Sequence, residues 1–319
     1  GAIGKQLIQA IVRKNGHQSV IAALHRSPLP EDLSPMVISE FGFDIQSPEA
    51  IRRVLDKHKD DIYAVWNLAA PLSVDTAKDP SAAERITVGG MGHLLATMKD
   101  LGLNRIFFSD SIGSFGRSSP RDAVSANWLV HNPEQNPGSD YGVQKRRCRE
   151  LMDEYARTHM FDARFVIIPG VLHSDSSWSG GTTEYALDAL WAAHRGEPYV
   201  CPVPADTRLP MIHIDDLTAG MVKLSQADSD SLTEPQKGYS LAGFSFSPAE
   251  LFAEIQKHVP SFSYLYDASA NPHVADFAET WPDSLSPEEA ARDFDFRSSI
   301  SMAETVANVL QAHTERGTK

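Results

Sequence analysis

Tyr141 and Lys145 stand four residues apart in the run Tyr-Gly-Val-Gln-Lys. On a helix that spacing puts both side chains on one face. A free phenol titrates near pH 10 and is a poor base at neutral pH, but an ammonium group one turn away favours the phenolate. Such a pair can take the proton of a hydroxyl group. Thirty residues before Tyr141, Ser109-Asp110-Ser111 closes an apolar run. If that run is a strand, Ser111 lies at its carboxyl end, where open α/β sheets bind their ligands. The chain opens on Gly1-Ala2-Ile3-Gly4, just before an amphipathic segment. Glycines there let a backbone approach a pyrophosphate, and the helix N-terminus offers free N–H groups and a positive dipole. Each signal alone also fits something ordinary: an amphipathic helix, a turn-forming Ser cluster, a flexible start. In this order the three together are far more specific.

The elements that must position these residues alternate. Residues 5–15 place Leu7, Ile8, Ile11 and Val12 on one helical face. Strands are predicted at 19–24, 36–43, 63–70, 105–111 and 163–168, and helices at 48–58, 79–101 and 141–159. A long loop is predicted at 117–140. Strand–helix alternation implies right-handed βαβ crossovers and a parallel sheet covered on both faces. After Gly170 the rhythm loosens: Ser- and Gly-rich loops at 174–182, a helix near 183–195, a strand near 239–246, a helix from Pro248 and a late strand near 262–266. The fold class is therefore α/β, a doubly wound parallel sheet of the Rossmann type with a smaller α+β lobe. Residues 1–171, with 207–235 returning, form the dinucleotide-binding domain, and 172–319 are mainly the substrate lobe.

Composition narrows the function. The 319 residues are 42% hydrophobic and 22% charged, which excludes disordered and coiled-coil classes. A net charge of −13 argues against a nucleic-acid partner. No apolar run is long enough for a membrane helix. Two cysteines, Cys148 and Cys201, cannot build a disulfide framework and fit a reducing compartment. The twelve histidines show no metal-ligand spacing.

Strand-end Ser, Tyr-x-x-x-Lys, strand and Pro169-Gly170 together resemble the extended short-chain dehydrogenases/reductases. Gly180-Gly181-Thr182-Thr183-Glu184-Tyr185-Ala186, Cys201-Pro202-Val203, Leu209-Pro210-Met211, Gly243 to Pro248 and Trp281-Pro282-Asp283-Ser284-Leu285 resemble the L-threonine 3-dehydrogenases of that superfamily. The resemblance covers nearly the whole chain. It implies Tyr141 as base, Lys145 as its ribose-binding partner and Ser111 as the group that holds the substrate hydroxyl. It places substrate contacts at Ser73, Gly180, Thr183 and Trp281. It places cofactor contacts at Gly1, Gly4, Asp44, Ile45, Leu68, Ala69, Ala70 and Val171, besides Tyr141 and Lys145. The implied reaction oxidises L-threonine at its 3-hydroxyl to 2-amino-3-oxobutanoate, with NAD as hydride acceptor and no metal. The resemblance also implies a homodimer, in the cytoplasm of a bacterium or the mitochondrial matrix of a eukaryote. Leu94, Leu95, Met98, Cys148 and Met152 are candidate dimer contacts, and core packing explains them equally well.

Several positions depart from this pattern. The first strand and first glycine of the nucleotide turn are absent. The sequence as it stands is therefore expected to be a fragment that leaves two strand edges unpaired, folds poorly and binds cofactor weakly. The second strand ends Ala23-Leu24-His25-Arg26-Ser27 without a carboxylate, so Arg26 keeps NADP open as an alternative to NAD. Thr87 replaces a common Asn, and Glu184 a common Asp. Asp110 beside Ser111 either disfavours the phenolate or points away to cap a turn. Arg208 is one basic candidate for a substrate phosphate or carboxylate. A nucleotide-sugar epimerase or dehydratase of the same superfamily is the alternative enzyme, and a non-catalytic nicotinamide-binding regulator the alternative from another class.

Overall fold

The computed structural model describes residues 1–24, 28–132, 136–174 and 181–317. Helix α1 (Ala2–Asn15) leads into strand β1 (Ile21–Leu24), β2 (Ile38–Phe41) and helix α2 (Pro48–His58). Ser47 caps α2 by accepting from the Ala50 N–H, and Pro48 holds its first position. Strand β3 (Val65–Asn67) follows, then α3 (Ser73–Lys78). The single helix predicted at 79–101 is α4 (Pro80–Glu84) and α5 (Gly90–Asp100), joined by a five-residue π-turn over Arg85–Gly89. Strand β4 (Arg105–Ser111) leads through a loop to helix α6 (Ala126–His131), which lies within the predicted loop at 117–140. Next come α7 (Asp140–His159), β5 (Asp162–Ile168) and β6 (Gly170–Leu172).

The second half holds α8 (Tyr185–Arg195), β7 (Tyr199–Cys201), β8 (Leu209–His213) and α9 (Ile214–Gln226). The strand predicted at 239–246 is two: β9 (Gly238–Ser240) joins the main sheet beside β5, and β10 (Phe244–Phe246) pairs antiparallel with β8. The reason is the turn between them, where a Cβ on Gly243 would lie 2.3 Å from the Met211 carbonyl oxygen. Helix α10 (Pro248–His258) starts with a capping box from Ser247 and Glu250. Strand β11 (Tyr264–Tyr266) pairs parallel with β7. Helices α11 (Pro272–Ala278), α12 (Glu288–Phe294) and α13 (Met302–Gly317) complete the chain's described part.

The main sheet runs β3-β4-β5-β9, all parallel, and β1-β2 forms a separate parallel pair. Side chains alternate across it as the pleat requires. Ile106, Phe108, Phe165 and Ile167 join the α2–α5–α7 side, while Phe107, Val166 and Ile168 join the side of α1 and α9. Helices thus cover both faces, the doubly wound arrangement. Among the described residues β1 bonds only to β2 and β3 only to β4, which leaves one edge of each unpaired. Helix α1 bridges the two pieces: Leu7 packs with Phe107 and Leu217, and Val12 with Ala22 and Val37.

Leu94, Leu95, Met98, Cys148 and Met152 are all buried in the core of the single chain, so they form no exposed seam for a second copy. The outer faces of α4 and α7 carry ion pairs instead, Arg147 with Glu84 and Arg146 with Glu150. Both cysteines are buried and unpaired, and burial pushes each thiol up to about 12. No described helix is long and apolar enough to cross a membrane.

Candidate active site

Helix α7 carries Tyr141 and Lys145 because Ser139 starts it in place, accepting from the Gly142 N–H at 3.2 Å. Lys145 is buried, and its Nζ donates to the Ser109 carbonyl at 2.6 Å. The same ammonium lies 5.4 Å from the centroid of the Tyr141 ring. The contact between α7 and the turn after β4 is tight. A Cβ on Gly142 would lie 2.0 Å from the Gly113 carbonyl oxygen, and one on Gly113 would lie 3.0 Å from the Tyr141 ring. Ser111 ends β4, and its Oγ accepts from the Gly113 N–H at 3.1 Å.

Tyr141, Lys145 and Ser111 line one cavity of about 490 Å³. Gly1, Gly4, Leu68, Ala69, Ala70, Val171, Ser73, Thr183 and Trp281 line it as well. Gly1 to Gly4 place the start of α1 on this wall, where Gly1 makes no side-chain cap. The first N–H groups of the helix are therefore those that a phosphate can take. Asn67 shapes the adjoining wall by accepting from the Ala69 N–H at 3.1 Å. Small residues, a helix N-terminus and a buried Lys beside a Tyr fit a nicotinamide dinucleotide.

Other predicted positions lie elsewhere. Asp44 accepts from the Gln46 N–H in the turn before α2 and does not line the cavity. Ile45 is buried against Gly90, where a Cβ would come within 2.9 Å of it, so packing explains it. Thr87 is buried too, and its carbonyl accepts from the Cys148 thiol. Gly180 and Arg26 lie outside the described residues. Arg208 donates to the Ser245 carbonyl at 2.9 Å and pairs with Glu250, away from the cavity lining. Asp110 does line the cavity, and its carboxylate is engaged there: it accepts from the Ser111 N–H at 2.8 Å and pairs with Arg149 at 2.9 Å.

The sequence reading missed Thr182, His173, Asp75 and, as site residues, Gly181 and Glu184, all of which line the cavity. Ser73 and Thr182 meet across 109 residues: their hydroxyls are 3.0 Å apart, and the Thr182 N–H donates to Ser73 Oγ at 3.1 Å. No local pattern could report that contact. Trp281 is buried, and its indole N–H has no hydrogen-bond partner among the described residues. Lys145 is the one Lys or Arg among the described lining residues, which include the carboxylates of Asp75 and Glu184.

A parallel sheet wound on both faces, with strand-end Ser and a Tyr–Lys helix over one cavity, defines a dinucleotide-binding α/β oxidoreductase fold. Comparison with known proteins gives the family. The model of the NAD dependent epimerase/dehydratase family matches residues 1–235, and the chain belongs to that family. An uncharacterized epimerase/dehydratase of Staphylococcus haemolyticus is 31% identical over 99% of this chain and 96% of its own length. The mitochondrial L-threonine 3-dehydrogenase of Bos taurus is 28% identical over 98% of this chain and 80% of its own. Among solved structures, the holo form of a GalE-like L-threonine dehydrogenase from Cupriavidus necator superposes with a TM-score of 0.87 at 29% identity, covering 98% of this chain and 96% of that one. The protein is thus an enzyme of the extended short-chain dehydrogenase/reductase type, using a nicotinamide cofactor.

Proposed function

We propose that this enzyme oxidises L-threonine at its 3-hydroxyl to 2-amino-3-oxobutanoate, with NAD as the cofactor. The observation that supports this reading is that Ser111, Tyr141 and Lys145 line the same cavity as Ser73, Thr183 and Trp281. Ser111 holds the 3-hydroxyl, and Tyr141 takes its proton as the carbon–hydrogen bond breaks. A nicotinamide, when bound, would supply the acceptor for the hydride. Lys145, 5.4 Å from the centroid of the Tyr141 ring, would hold the cofactor ribose. Gly1 to Gly4 and Leu68 to Ala70, on the cavity wall, would hold the dinucleotide backbone. The unpartnered Trp281 N–H is a donor for the carboxylate of the amino acid, and Glu184 supplies negative charge for its ammonium group.

A nucleotide-sugar substrate fits this lining less well. Its diphosphate needs cationic partners, and Arg208 is engaged with Glu250 and Ser245 instead. A non-catalytic regulator has no use for the buried Lys145 beside Tyr141. Mass spectrometry after a carbonyl trap tests the reading. Incubation with L-threonine and NAD is expected to yield 2-amino-3-oxobutanoate, or aminoacetone after loss of CO₂, in step with the reduced cofactor. Interconversion of a nucleotide sugar with no net reduced cofactor would overturn it.

A further inference from the structure

Tyr141, Lys145 and Arg149 repeat every four residues along α7, so they form one stripe facing β4. The proposed chemistry uses the first two. Arg149 is 4% exposed and Asp110 is 1% exposed, and their side chains meet at 2.9 Å. Water therefore does little to screen this pair. The other Asp110 oxygen accepts from the Ser111 N–H at 2.8 Å and from the Ser114 hydroxyl. Arg149 is fixed from behind as well, its guanidinium carbon 5.6 Å from the centroid of Phe165 on β5.

We infer that the Asp110–Arg149 pair positions Ser111 against Tyr141, which rests on the roles assigned to those two residues above. The β4–β5 ladder sets Ser111 opposite Ile168, and the ties between β4 and α7 set it against the helix. Lys145 ties α7 to the carbonyl of Ser109, and Gly142 lies against the Gly113 carbonyl. Between those two ties, the backbone N–H of Ser111 is held by Asp110, and Asp110 is held by α7 through Arg149. The carboxylate thus binds both ends of the Ser111–Ser114 turn to the helix that carries the base. Asp110 and Arg149 are positioning residues: Arg149 stands outside the cavity lining, and Asp110, which is in it, acts through the turn that it holds. A shift of about 1 Å in a reacting group is enough to cost two orders of magnitude in rate.

Asp110→Asn tests this, because the amide keeps an acceptor for Ser111 while removing the charge that holds Arg149. The neutral pair D110N/R149Q, which leaves no buried charge unpaired, gives the same reading should the single variant fail to fold. The expected result is a fall of about tenfold to a hundredfold in kcat. The KM for L-threonine and the Kd for NADH, read by its fluorescence, are expected to stay within about twofold. An unchanged kcat in a folded variant would overturn the inference, as would a loss confined to KM. If the parent protein itself does not oxidise L-threonine, the functional reading fails and crystal structures decide the positioning role separately. Displacement of Ser111 from Tyr141 in D110N supports it, and an unmoved Ser111 overturns it.

Discussion

At the scale of single residues, the site divides into what local spacing shows and what only folding brings together. Tyr141 and Lys145 are legible because helical geometry alone makes them neighbours. Ser73 was legible only through a resemblance, and its partner Thr182 not at all, because 109 residues separate them. The partner of Asp110 was not legible either: Arg149 stands one turn beyond Lys145 on α7, and no local pattern in β4 points to it. Ser73→Ala leaves the buried Thr182 N–H without its acceptor, at a cost of about 1–3 kcal/mol. Because that N–H belongs to a loop lining the cavity, the expected result is an increase of roughly tenfold in KM for L-threonine with a smaller change in kcat. Steady-state kinetics on the variant check it, and an unchanged KM would remove Ser73 from the account.

At the scale of elements, boundaries were readable where capping chemistry marks them. Ser47-Pro48 starts α2, and Ser247-Pro248 with Glu250 starts α10. Helix α6 was missed because six residues, Ala126–His131, are too few to show a periodicity. The division of residues 238–246 between two sheets depends on Met211 crowding Gly243, a contact no period-2 pattern reveals. The amino ends of β4 and β5 are fixed by a charge cluster far along the strands from Ser111. Asp162 there meets Arg105 at 3.0 Å, Arg164 at 2.7 Å and Lys237 at 3.0 Å. Arg164 also donates to the carbonyls of Leu224 and Ala227, which ties down the end of α9. Burial raises the Asp162 carboxyl, but the hydrogen bonds and charges of Arg164 and Lys237 outweigh it and hold it at about 2, below its ordinary 3.8. A carboxyl lowered in the folded state contributes stability above its unfolded value and loses it as pH falls through the folded one. Asp162 therefore contributes at most about 2 kcal/mol at neutral pH, lost between about pH 4 and pH 2. Urea midpoints for the parent and Asp162→Asn are expected to differ at pH 7 and to converge toward pH 2. A constant difference across that range would contradict this assignment.

At the scale of the whole molecule, the cavity is built from distant parts of the chain: the start of α1, the ends of β3, β4 and β5, the loop before α8, and Trp281. The doubly wound class was legible from alternation alone. The division of the parallel strands into β1-β2 and β3-β4-β5-β9, with α1 packed across both, required the folded chain. A dinucleotide at the start of α1 touches the element that bridges the two pieces, so its binding is expected to stabilise the protein as a unit. At a hundred times its Kd, a cofactor contributes about 2.7 kcal/mol, seen as an increase of a few degrees in Tm by scanning fluorimetry. Gly4→Val, which puts a branched side chain on the cavity wall at the start of α1, its Cβ 3.7 Å from the Leu68 side chain, is expected to abolish that increase, and a full response in the variant would place the dinucleotide elsewhere.

The measurement that bears most directly on the central claim is cofactor reduction by L-threonine, followed optically with NAD and with NADP in separate runs and with Tyr141→Phe alongside. The account predicts reduction of NAD that depends on L-threonine and falls by about 10²–10⁴-fold in the variant, while NADH binding persists. No reduction of either cofactor by a protein that binds NADH, or full activity in Tyr141→Phe, would contradict it.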